Sequence, residues 1–444
     1  MRYISGFLCS LLLTGCVAPQ ASIKKDKQKK MAIQKVVQEQ TILDISEIPQ
    51  DVSFYTKNIG DLNITQESYE KHYFKVWNLS KIDISLEDVM WAHKLFNETN
   101  SYGENLQLRQ KSFFENLLLN ANYEEFASLN RTAVTLNLLN IRAMPSDKPL
   151  FRDPSKAGEG FPFDYLQNST ISPNKPILIS HYSKDKEWVF IESSFTFGWV
   201  KSKNIVPIKK EYTLLWQEAK QIFIRSDNEP IYTTTGEFLF RSRLGVIFPL
   251  ITEDEESFTV LSISKDADNK AYYQKSKISK EIASKNPLKF NAQNIEKIIR
   301  LLSLNTYGWG GMFSERDCSA TIRDFYAPFG LWLPRNSYKQ SLAGKTLSLD
   351  GLSQEEKLDI IKREAKPFQT LLYKKGHIAL YVGLYKNKPI IFQNVWGVKT
   401  KKAGKEGRFI IGKPIFSTLE VGKNLFDFDE NSSMLQNLKT MTKL

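Results

Sequence analysis

The chain has 444 residues, which is too long for one small core and favours two to four domains. Its 41% hydrophobic and 25% charged residues are typical of a soluble globular protein. The 61 basic residues outnumber the 49 acidic ones, and the formal net charge of +12 suits an anionic partner such as cell wall or phospholipid headgroups. No basic run interleaved with aromatic residues suggests a nucleic-acid groove, so we expect no nucleic-acid partner.

The amino terminus is predicted to be a targeting segment. Arg2 supplies a short positive region, and residues 4–13 form an apolar core that is too short to span a membrane. Leu13-Thr14-Gly15-Cys16 resembles a bacterial lipobox, which implies cleavage before Cys16 and lipid on its thiol and new amino terminus. We therefore expect residues 1–15 to be a lipoprotein signal peptide and the mature protein to be anchored to a bacterial membrane, facing the periplasm. Val17 favours the outer membrane by family analogy alone. An ordinary secreted protein is the alternative.

The three cysteines are Cys9, Cys16 and Cys318. Cys9 would leave with the signal peptide and Cys16 would be acylated. Cys318 would then be the only free thiol of the mature chain, so no internal disulfide can form. A single remaining cysteine in an exported protein indicates a reactive thiol, although a buried cysteine that packs as a small apolar side chain is the alternative.

Two regions are predicted before the β-rich part of the chain. Residues 16–45 are polar and rich in lysine, as in a tether. Residues 46–133 are predicted to form a mainly helical N-terminal domain, because Ser85 can cap a helix and apolar residues recur at helical spacing over 104–129. His72 and His93 fall in this region, and we interpret both as packed side chains.

From Thr132 onward the sequence changes to short alternating runs broken by Pro, Gly, Asn and Asp. Such runs favour small β-barrels. We predict one SH3-like barrel over residues 134–208 and a second over residues 209–284. The two regions are similar in size but show no clean sequence repeat. His181 lies in a predicted strand, where barrel packing is its simplest role.

Residues 285–430 are predicted to form one α+β domain, followed by a tail over residues 431–444. A helix over 290–302, with Asn291 as its cap, leads into the glycine-rich stretch Tyr307-Gly308-Trp309-Gly310-Gly311. Asp317 can cap the next helix, which begins at Cys318.

The second half of this domain carries further signals. Gly330 should end the cysteine helix, and Ser353 with Glu356 forms a capping-box pattern for another helix. An alternating strand then begins at Gly376, turns over 385–389 and returns antiparallel over 390–396.

Cys318 is the candidate nucleophile, because the partial positive charge at the start of a helix favours thiolate over thiol. Such a nucleophile needs a base, and His377 is the only histidine in the same predicted domain. A cysteine on a helix and a histidine on a strand are the papain-like geometry. The group that orients the histidine is Gln393 or Asn394, which point to opposite faces of the returning strand, and the sequence leaves this choice open.

These motifs resemble the NlpC/P60 family of peptidoglycan peptidases. The resemblance lies in Tyr307-Gly-Trp-Gly-Gly, Asp317-Cys318-Ser319 and Gly376-His377-Ile-Ala-Leu-Tyr-Val-Gly383, and it covers roughly residues 45–430. Together with Leu333-Pro334-Arg335-Asn336-Ser337, the β-rich regions resemble a subgroup with two bacterial SH3-like domains. The implied fold is multidomain, with a mainly helical N-terminal domain, two small SH3-like β-barrels and a C-terminal α+β papain-like NlpC/P60 domain.

The resemblance implies a catalytic role for three residues. Cys318 would attack a peptide carbonyl, and His377 would activate the thiol and later protonate the leaving amine. The third family residue, usually a histidine, corresponds to Gln393, which departs from the pattern but can still accept the imidazole N–H. Backbone N–H groups at the helix start, including that of Cys318, would form an oxyanion hole.

The resemblance also implies a set of residues that hold an L-Ala-γ-D-Glu stem end: Tyr307, Asp317, Ser319, Arg335 and Ser337. Asp317 could pair a free ammonium and Arg335 a carboxylate. The structural alternatives are helix capping for Asp317 and Ser319, and a surface ion pair for Arg335.

The predicted function is hydrolysis of the γ-D-glutamyl to diamino-acid bond in peptidoglycan stem peptides. The first barrel is expected to wall the cleft, which would favour short, trimmed peptides. We expect no metal and no cofactor, because four scattered histidines and one free cysteine do not make a typical zinc site. Two alternatives remain: another thiol amidase or acyltransferase on the same fold, and a non-catalytic wall-binding lipoprotein, which the departure at Gln393 favours.

Overall fold

The computed structural model describes residues 41–57, 59–62, 64 and 66–444. The predicted signal peptide, Cys16 and most of the predicted tether lie outside the described residues. All contacts below lie within residues 42–444, which form one unit. In the part of the chain that is described, every helix is too short or too polar to cross a membrane.

The segment before the first sheet contains short helices joined by long loops. Over residues 104–129, where the sequence predicts helical spacing throughout, a helix forms only in the middle, because Asn122 and Ala127 adopt left-handed backbone conformations with φ of 52° and 58°. The helices of this segment are α1 Leu43–Glu47, α2 Gln66–Tyr73, α3 Leu86–Val89, α4 Trp91–Leu95 and α5 Lys111–Asn120. Short 3-10 turns lie at Val52–Phe54, Lys75–Asn78 and Tyr123–Glu125.

Part of this segment shares its core with the two sheets that follow. The buried rings of Tyr69, Tyr73 and Trp77 pack in one cluster with Val134 of the first sheet and Phe223 of the second. The Trp77 indole also donates to the carbonyl of Ala133 at 3.0 Å. The segment therefore fills the space between the two sheets.

Two seven-stranded antiparallel sheets follow, and helix α6 (Lys210–Glu218) connects them. The first sheet, here called the first β-domain, consists of β1 Arg131–Thr135, β2 Leu139–Arg142, β3 Gln167–Ile171, β4 Pro176–Tyr182, β5 Trp188–Ser193, β6 Phe197–Lys201 and β7 Ile205–Pro207. The second β-domain consists of β8 Gln221–Ile224, β9 Pro230–Thr233, β10 Phe238–Arg241, β11 Ile247–Glu253, β12 Ser257–Lys265, β13 Ala271–Ser279 and β14 Ala283–Ser284.

The two β-domains have the same topology. The strand order is β3-β2-β6-β5-β4-β1-β7 in the first and β10-β9-β13-β12-β11-β8-β14 in the second, so each strand of one has its counterpart seven strands later. Each domain also buries its own apolar cluster. The chain therefore repeats one module. The sequence shows no clean repeat because a sheet needs only the alternation of apolar and polar residues, which many different side chains can supply.

The C-terminal domain is a six-stranded antiparallel sheet with helices against it, in the strand order β15-β20-β16-β17-β18-β19. Its helices are α7 Ala292–Ser303, α8 Cys318–Tyr326, α9 Ser337–Gln340, α10 Gln354–Glu364 and α11 Met434–Asn437. Its strands are β15 Lys345–Ser348, β16 Thr370–Lys374, β17 His377–Tyr385, β18 Lys388–Lys402, β19 Lys405–Ser417 and β20 Leu438–Lys443.

The last strand corrects one prediction. Residues 431–444 are not a tail, because β20 lies between β15 and β16 and pairs with both. Leu438 and Met441 are buried in the same apolar cluster as Leu372. A six-residue strand with only two large apolar side chains gives a weak sequence signal, and its place in the sheet comes from pairing with distant strands.

The predicted helix starts of this domain are confirmed. Asn291, Asp317 and Ser353 each accept a backbone N–H of the following turn, and Glu356 completes the capping box. Gly330 lies four residues beyond the end of helix α8 with φ of 82°.

A buried ion-pair network joins the C-terminal domain to the second β-domain. The Arg316 guanidinium, 1% exposed, lies 2.6 Å from Asp227 of the second β-domain and 2.7 Å from Asp324 of helix α8. Arg316 therefore holds two buried carboxylates from different domains. Arg323 also lies 2.8 Å from Asp324. Because these charges are removed from water, the loss of Arg316 leaves Asp227 without its close cation and Asp324 with a weaker network.

We predict that Arg316→Met destabilises the protein by about 3–5 kcal/mol, since it leaves Asp227 and Asp324 buried without their shared cation. The measurement is urea unfolding followed by tryptophan fluorescence. The matched control is Arg300→Met, since Arg300 is 57% exposed in its own ion pair with Asp51 and should cost less than about 1 kcal/mol. Equal effects of the two substitutions would contradict this account.

Candidate active site

The candidate nucleophile lies at the start of helix α8. Asp317 caps the helix, and its Oδ1 accepts the backbone N–H of Ala320 at 2.8 Å. Cys318 is the first helical residue and is 7% exposed. The backbone amides of Ile378 and Ser319 lie near its sulfur and partly offset the effect of burial on its pKa. The predicted position of the thiol in the first turn of a capped helix is confirmed.

The protonation state of the thiol differs from the sequence expectation. Burial, followed by the adjacent Asp317 carboxylate, raises the pKa of Cys318 to about 12. Burial, followed by the ammonium of Lys374, lowers the pKa of His377 to about 4. The helix start does not outweigh these effects. At neutral pH the site therefore holds a neutral thiol and a neutral imidazole.

Among the described residues, no hydrogen bond joins the thiol to the imidazole of His377. In free enzymes, catalytic hydrogen bonds are often long and tighten only when substrate binds. The structure thus places the two groups in one domain, on α8 and at the start of β17, without pairing them.

A chain of three hydrogen bonds fixes the orientation of His377. The Ser417 hydroxyl donates to the carbonyl of Thr418 at 2.9 Å, so its oxygen accepts the side-chain N–H of Gln393 at 2.7 Å. This turns Oε1 of Gln393 toward Nε2 of His377, at 2.7 Å. Because an amide oxygen can only accept, Nε2 carries the imidazole proton. Nδ1 is left with its lone pair and is the atom that can take a proton from a thiol.

The strand register explains why Gln393, and not Asn394, contacts the histidine. Leu380 of β17 pairs with Phe392 of β18, so Gln393 falls on the sheet face of His377. Asn394 points to the opposite face, where its side-chain N–H donates to the Thr321 hydroxyl of helix α8 at 3.0 Å. The structure thereby resolves the alternative that the sequence leaves open.

Asp317 and Arg335 bind each other in the structure. Two guanidinium nitrogens of Arg335 donate to the two carboxylate oxygens of Asp317, at 3.0 and 2.7 Å. Arg335 also donates to the hydroxyls of Ser319, at 2.8 Å, and of Ser169 in strand β3, at 2.8 Å. The remaining bonds to Asp317 come from the Ala320 and Gly310 backbone and from Ser319.

This pairing is a contact that the sequence does not predict, and the contacts of Asp317 with a substrate ammonium and of Arg335 with a substrate carboxylate stay predictions. Both groups are buried, and a buried charge is held by the nearest group of opposite sign. Sequence could not reveal the pair, because a separation of 18 positions follows no spacing rule. Their positions define the floor of the site.

The glycine-rich stretch lies directly against strand β3 of the first β-domain. A Cβ atom on Gly310 would lie 2.6 Å from the carbonyl oxygen of Gln167, and one on Gly311 would lie 2.3 Å from the Thr170 hydroxyl oxygen. Both glycines have left-handed φ angles, of 57° and 85°. The Trp309 indole also donates to the carbonyl of Asp164 at 2.9 Å. The first β-domain therefore packs directly against the candidate active site.

The other predicted site residues lie around this floor. Tyr307 is near the thiol, since burial, followed by the Cys318 and Asp317 charges, raises its pKa well above the ordinary value. Ser319 accepts from Arg335 and donates to Asp317 at 3.1 Å. Ser337 is the first residue of helix α9, and its carbonyl accepts the Ser341 N–H within that turn.

The three remaining histidines lie away from this site. His181 is buried and bonded to the Ser180 hydroxyl and the Ala121 carbonyl, at 2.8 and 3.0 Å. His93 packs edge-on against Tyr123, and His72 stacks on Trp332. The interpretation of all three as packed side chains agrees with these contacts. Across the described residues, no group of three histidine, cysteine or acidic side chains could hold a metal ion.

Sequence reasoning missed three residues that hold the site. Ser417 orients Gln393, Ser169 holds Arg335 from another domain, and the side chain of Gln340 donates to the carbonyl of Ser319 at 2.8 Å. Serine and glutamine are common surface residues, so only their burial in the fold marks them.

Four regions of the chain match known family models. Residues 5–126 match the NLPC_P60 stabilising domain, N term, 149–201 an SH3 domain of SH3b1 type, 213–255 an SH3 domain of SH3b2 type, and 305–407 the NlpC/P60 family. The last range contains Cys318, His377 and Gln393. The chain therefore carries an NlpC/P60 domain, and its two β-domains are SH3 domains.

Similar solved structures include an NlpC/P60 endopeptidase from Photobacterium damselae subsp. piscicida, with 23% identity and a TM-score of 0.77 over 89% of this chain and 97% of that chain. This likeness shows a shared fold. An NlpC/P60 family protein from Bacillus cereus has 15% identity and a TM-score of 0.43 over 70% of this chain and 99% of that chain. The peptidoglycan hydrolase RipB from Mycobacterium tuberculosis has 24% identity and a TM-score of 0.17 over 28% of this chain and 64% of that chain. No curated protein matches the chain.

We predict that Ser417→Ala shifts His377 toward its other tautomer. Without the Ser417 oxygen, the Gln393 amide can rotate and present its N–H groups to Nε2, which then loses its proton to Nδ1. The measurement is the ¹⁵N chemical shifts of the His377 ring. Thiol-dependent turnover should fall about tenfold or more with KM nearly unchanged.

The matched control is Ser348→Ala, an exposed serine of strand β15. It should leave both the ring shifts and turnover as they are in the unmodified protein. An Nε2–H tautomer that persists in Ser417→Ala would contradict the proposed hydrogen-bond chain.

Proposed function

We propose that the chain is a cysteine endopeptidase that hydrolyses the γ-D-glutamyl to diamino-acid bond of peptidoglycan stem peptides. The observation that carries the proposal is the hydrogen-bonded alignment of His377 by Gln393 and Ser417, in a domain that also presents Cys318 at a helix start. Acyl transfer by a thiol requires an oriented base and a nucleophile held in a fixed position, and His377 and Cys318 are the candidates for these roles.

The proposed reaction has two steps. In the first, Sγ of Cys318 attacks the γ-carbonyl carbon of the D-glutamyl residue while its proton passes to Nδ1 of His377. The C–N bond then breaks as His377 returns that proton to the leaving amine, which gives a thioester. In the second, water attacks the thioester carbon, and His377 moves one water proton to the departing sulfur. The products are a free carboxylic acid, a free amine and the original thiol.

The neutral resting pair fits this order of events. A buried thiolate beside the Asp317 carboxylate would be unfavourable, so the proton leaves the sulfur as the bond to the carbonyl forms. His377 is unprotonated at neutral pH because burial, followed by the ammonium of Lys374, lowers its pKa, so its Nδ1 lone pair is available. Backbone N–H groups at the helix start, including that of Cys318, are the proposed donors to the developing oxyanion.

The proposed substrate is a short peptide rather than an intact strand. The glycine-rich stretch packs on strand β3 with no space for a side chain between them, so the first SH3 domain bounds one side of the site. Two finer assignments rest on the family resemblance. The first is L-Ala-γ-D-Glu-diamino acid as the recognised peptide, and the second is a helical N-terminal unit that stabilises the enzyme.

The alternative of a non-catalytic wall-binding protein rests on Gln393, which stands where the family usually has a histidine. The hydrogen bond from His377 to Gln393 weakens that support, since the glutamine supplies the acceptor that a histidine would. Another thiol amidase or acyltransferase activity remains the second candidate, because it would use the same nucleophile and base.

The test is mass spectrometry of a digest. Protein lacking residues 1–16 is incubated with L-Ala-γ-D-Glu-diaminopimelate tripeptide and with intact sacculi. We expect release of L-Ala-D-Glu from the tripeptide, since the walled site suits short peptides. Cys318→Ala and His377→Ala should abolish the release, and His72→Ala, which removes a histidine outside the site, should keep it.

Other outcomes would reject the proposal. Cleavage at a different bond that still needs Cys318 would favour the other thiol activity. Binding to sacculi without any product, equal in the unmodified protein and Cys318→Ala, would favour the wall-binding protein.

We also propose that Cys16 carries a lipid anchor that holds the protein on the outer membrane, facing the periplasm. The lipobox resemblance supports this, and its residues lie outside the described part of the chain. Cys16→Ser should move the protein from the membrane fraction to the soluble fraction after cell lysis. Unchanged membrane association would reject the anchor.

A further inference from the structure

A cavity of about 360 Å³ lies on the side of His377 and Gln393. Four cationic side chains line it: Lys374, Lys375, Lys399 and Arg408. No aspartate or glutamate is among the described residues that line it. A concave site with positive side chains and no carboxylate on its wall is complementary to an anion.

The four cations are not equivalent. Lys399 is paired with Glu406 at 2.5 Å and Asp429 at 3.6 Å. Arg408 donates to backbone carbonyls of the loop before strand β3, including those of Lys156 at 2.8 Å and Glu159 at 3.0 Å. Their charges are therefore largely used within the protein.

Lys374 has a partner that carries no charge. It is the last residue of β16 and pairs across the hairpin with His377, the first residue of β17. Its Nζ donates to the carbonyl of Ser432 at 3.0 Å, and in the described part of the chain no acidic side chain forms an ion pair with it. An ammonium has three donors, so two remain for other acceptors.

The position of Lys374 is costly without an anion. The residue is partly buried, and burial lowers its pKa. A cation that is shielded from water and unpaired is a feature of functional sites rather than of solvated surfaces.

The chemistry of the proposed reaction places the leaving fragment on this side. His377 must protonate the leaving amine, so the amine departs next to the imidazole. Lys374 pairs across the hairpin with His377, both side chains line the cavity, and Lys374 is near enough to Cys318 for their charges to interact. The fragment that carries the new amine therefore faces Lys374.

We propose that Lys374 binds a free carboxylate of the leaving diamino-acid residue. This rests on the proposed function and specifies its substrate: a peptide whose residue after the scissile bond keeps free carboxylates. A peptide with those carboxylates amidated or extended through peptide bonds is then a poorer ligand.

The test measures binding rather than turnover, so it does not need the thiol. Full-length protein carrying Cys318→Ala is titrated calorimetrically with L-Ala-γ-D-Glu-diaminopimelate, and with the same peptide in which both diaminopimelate carboxylates are amidated. A charge-assisted hydrogen bond predicts about tenfold to hundredfold weaker binding of the amidated peptide.

Lys374→Met in the same background should bind both peptides alike, at the lower affinity. Lys374→Arg should restore part of the preference, because it keeps the charge. The control is Lys388→Met, an exposed lysine at the other end of the β17–β18 hairpin, which should keep the full preference. Thermal melts verify that the variants are folded.

Three results would overturn the inference: equal affinities for the two peptides, a preference that survives Lys374→Met, and no binding of either peptide. A loss that follows amidation of the D-glutamyl α-carboxylate instead would assign Lys374 to the acyl side and overturn it as well. Failure of the proposed function would be seen separately, as absence of Cys318-dependent cleavage in the digest.

Discussion

Two consecutive residues of opposite charge, Arg316 and Asp317, stand directly before the nucleophile, and each is buried in a different ion-pair network. Arg316 binds Asp227 of the second SH3 domain and Asp324 of the cysteine helix. Asp317 caps that helix and binds Arg335, which in turn donates to a serine of the first SH3 domain. Buried charges are strongly destabilising when unpaired, so the segment before Cys318 is held by an ion pair with the second SH3 domain and, through Arg335, by a hydrogen bond with the first.

This arrangement explains the electrostatics of the site. The network that fixes the helix start also puts a carboxylate next to the sulfur, and burial adds to its effect on the thiol. A cysteine held in this way rests as a neutral thiol, and its activation depends on a histidine of defined tautomer. Ser417 and Gln393 supply that tautomer through hydrogen bonds. The substitution of glutamine for the usual histidine therefore preserves orientation without adding a second titrating ring.

The sequence predicts this protein well where the signal is local. Asn291, Asp317 and Ser353 are caps in sequence and in structure, and Cys318 and His377 stand out as the only thiol and histidine of their domain. The sequence does not predict contacts between distant segments. The Asp317–Arg335 pair, the choice of Gln393 over Asn394 and the strand at Leu438–Lys443 depend on tertiary packing or on strand register, which no residue pattern determines alone.

The most direct test of the central claim is detection of the covalent intermediate. Protein mixed with the stem tripeptide is quenched in acid within its first turnover, digested with pepsin and analysed by mass spectrometry. The account predicts an L-Ala-D-Glu acyl group, linked through its γ-carbonyl, on the peptide that contains Cys318 and on no other peptide. Products that form at the same rate while Cys318 remains unmodified, and that still form in Cys318→Ala, would contradict the account.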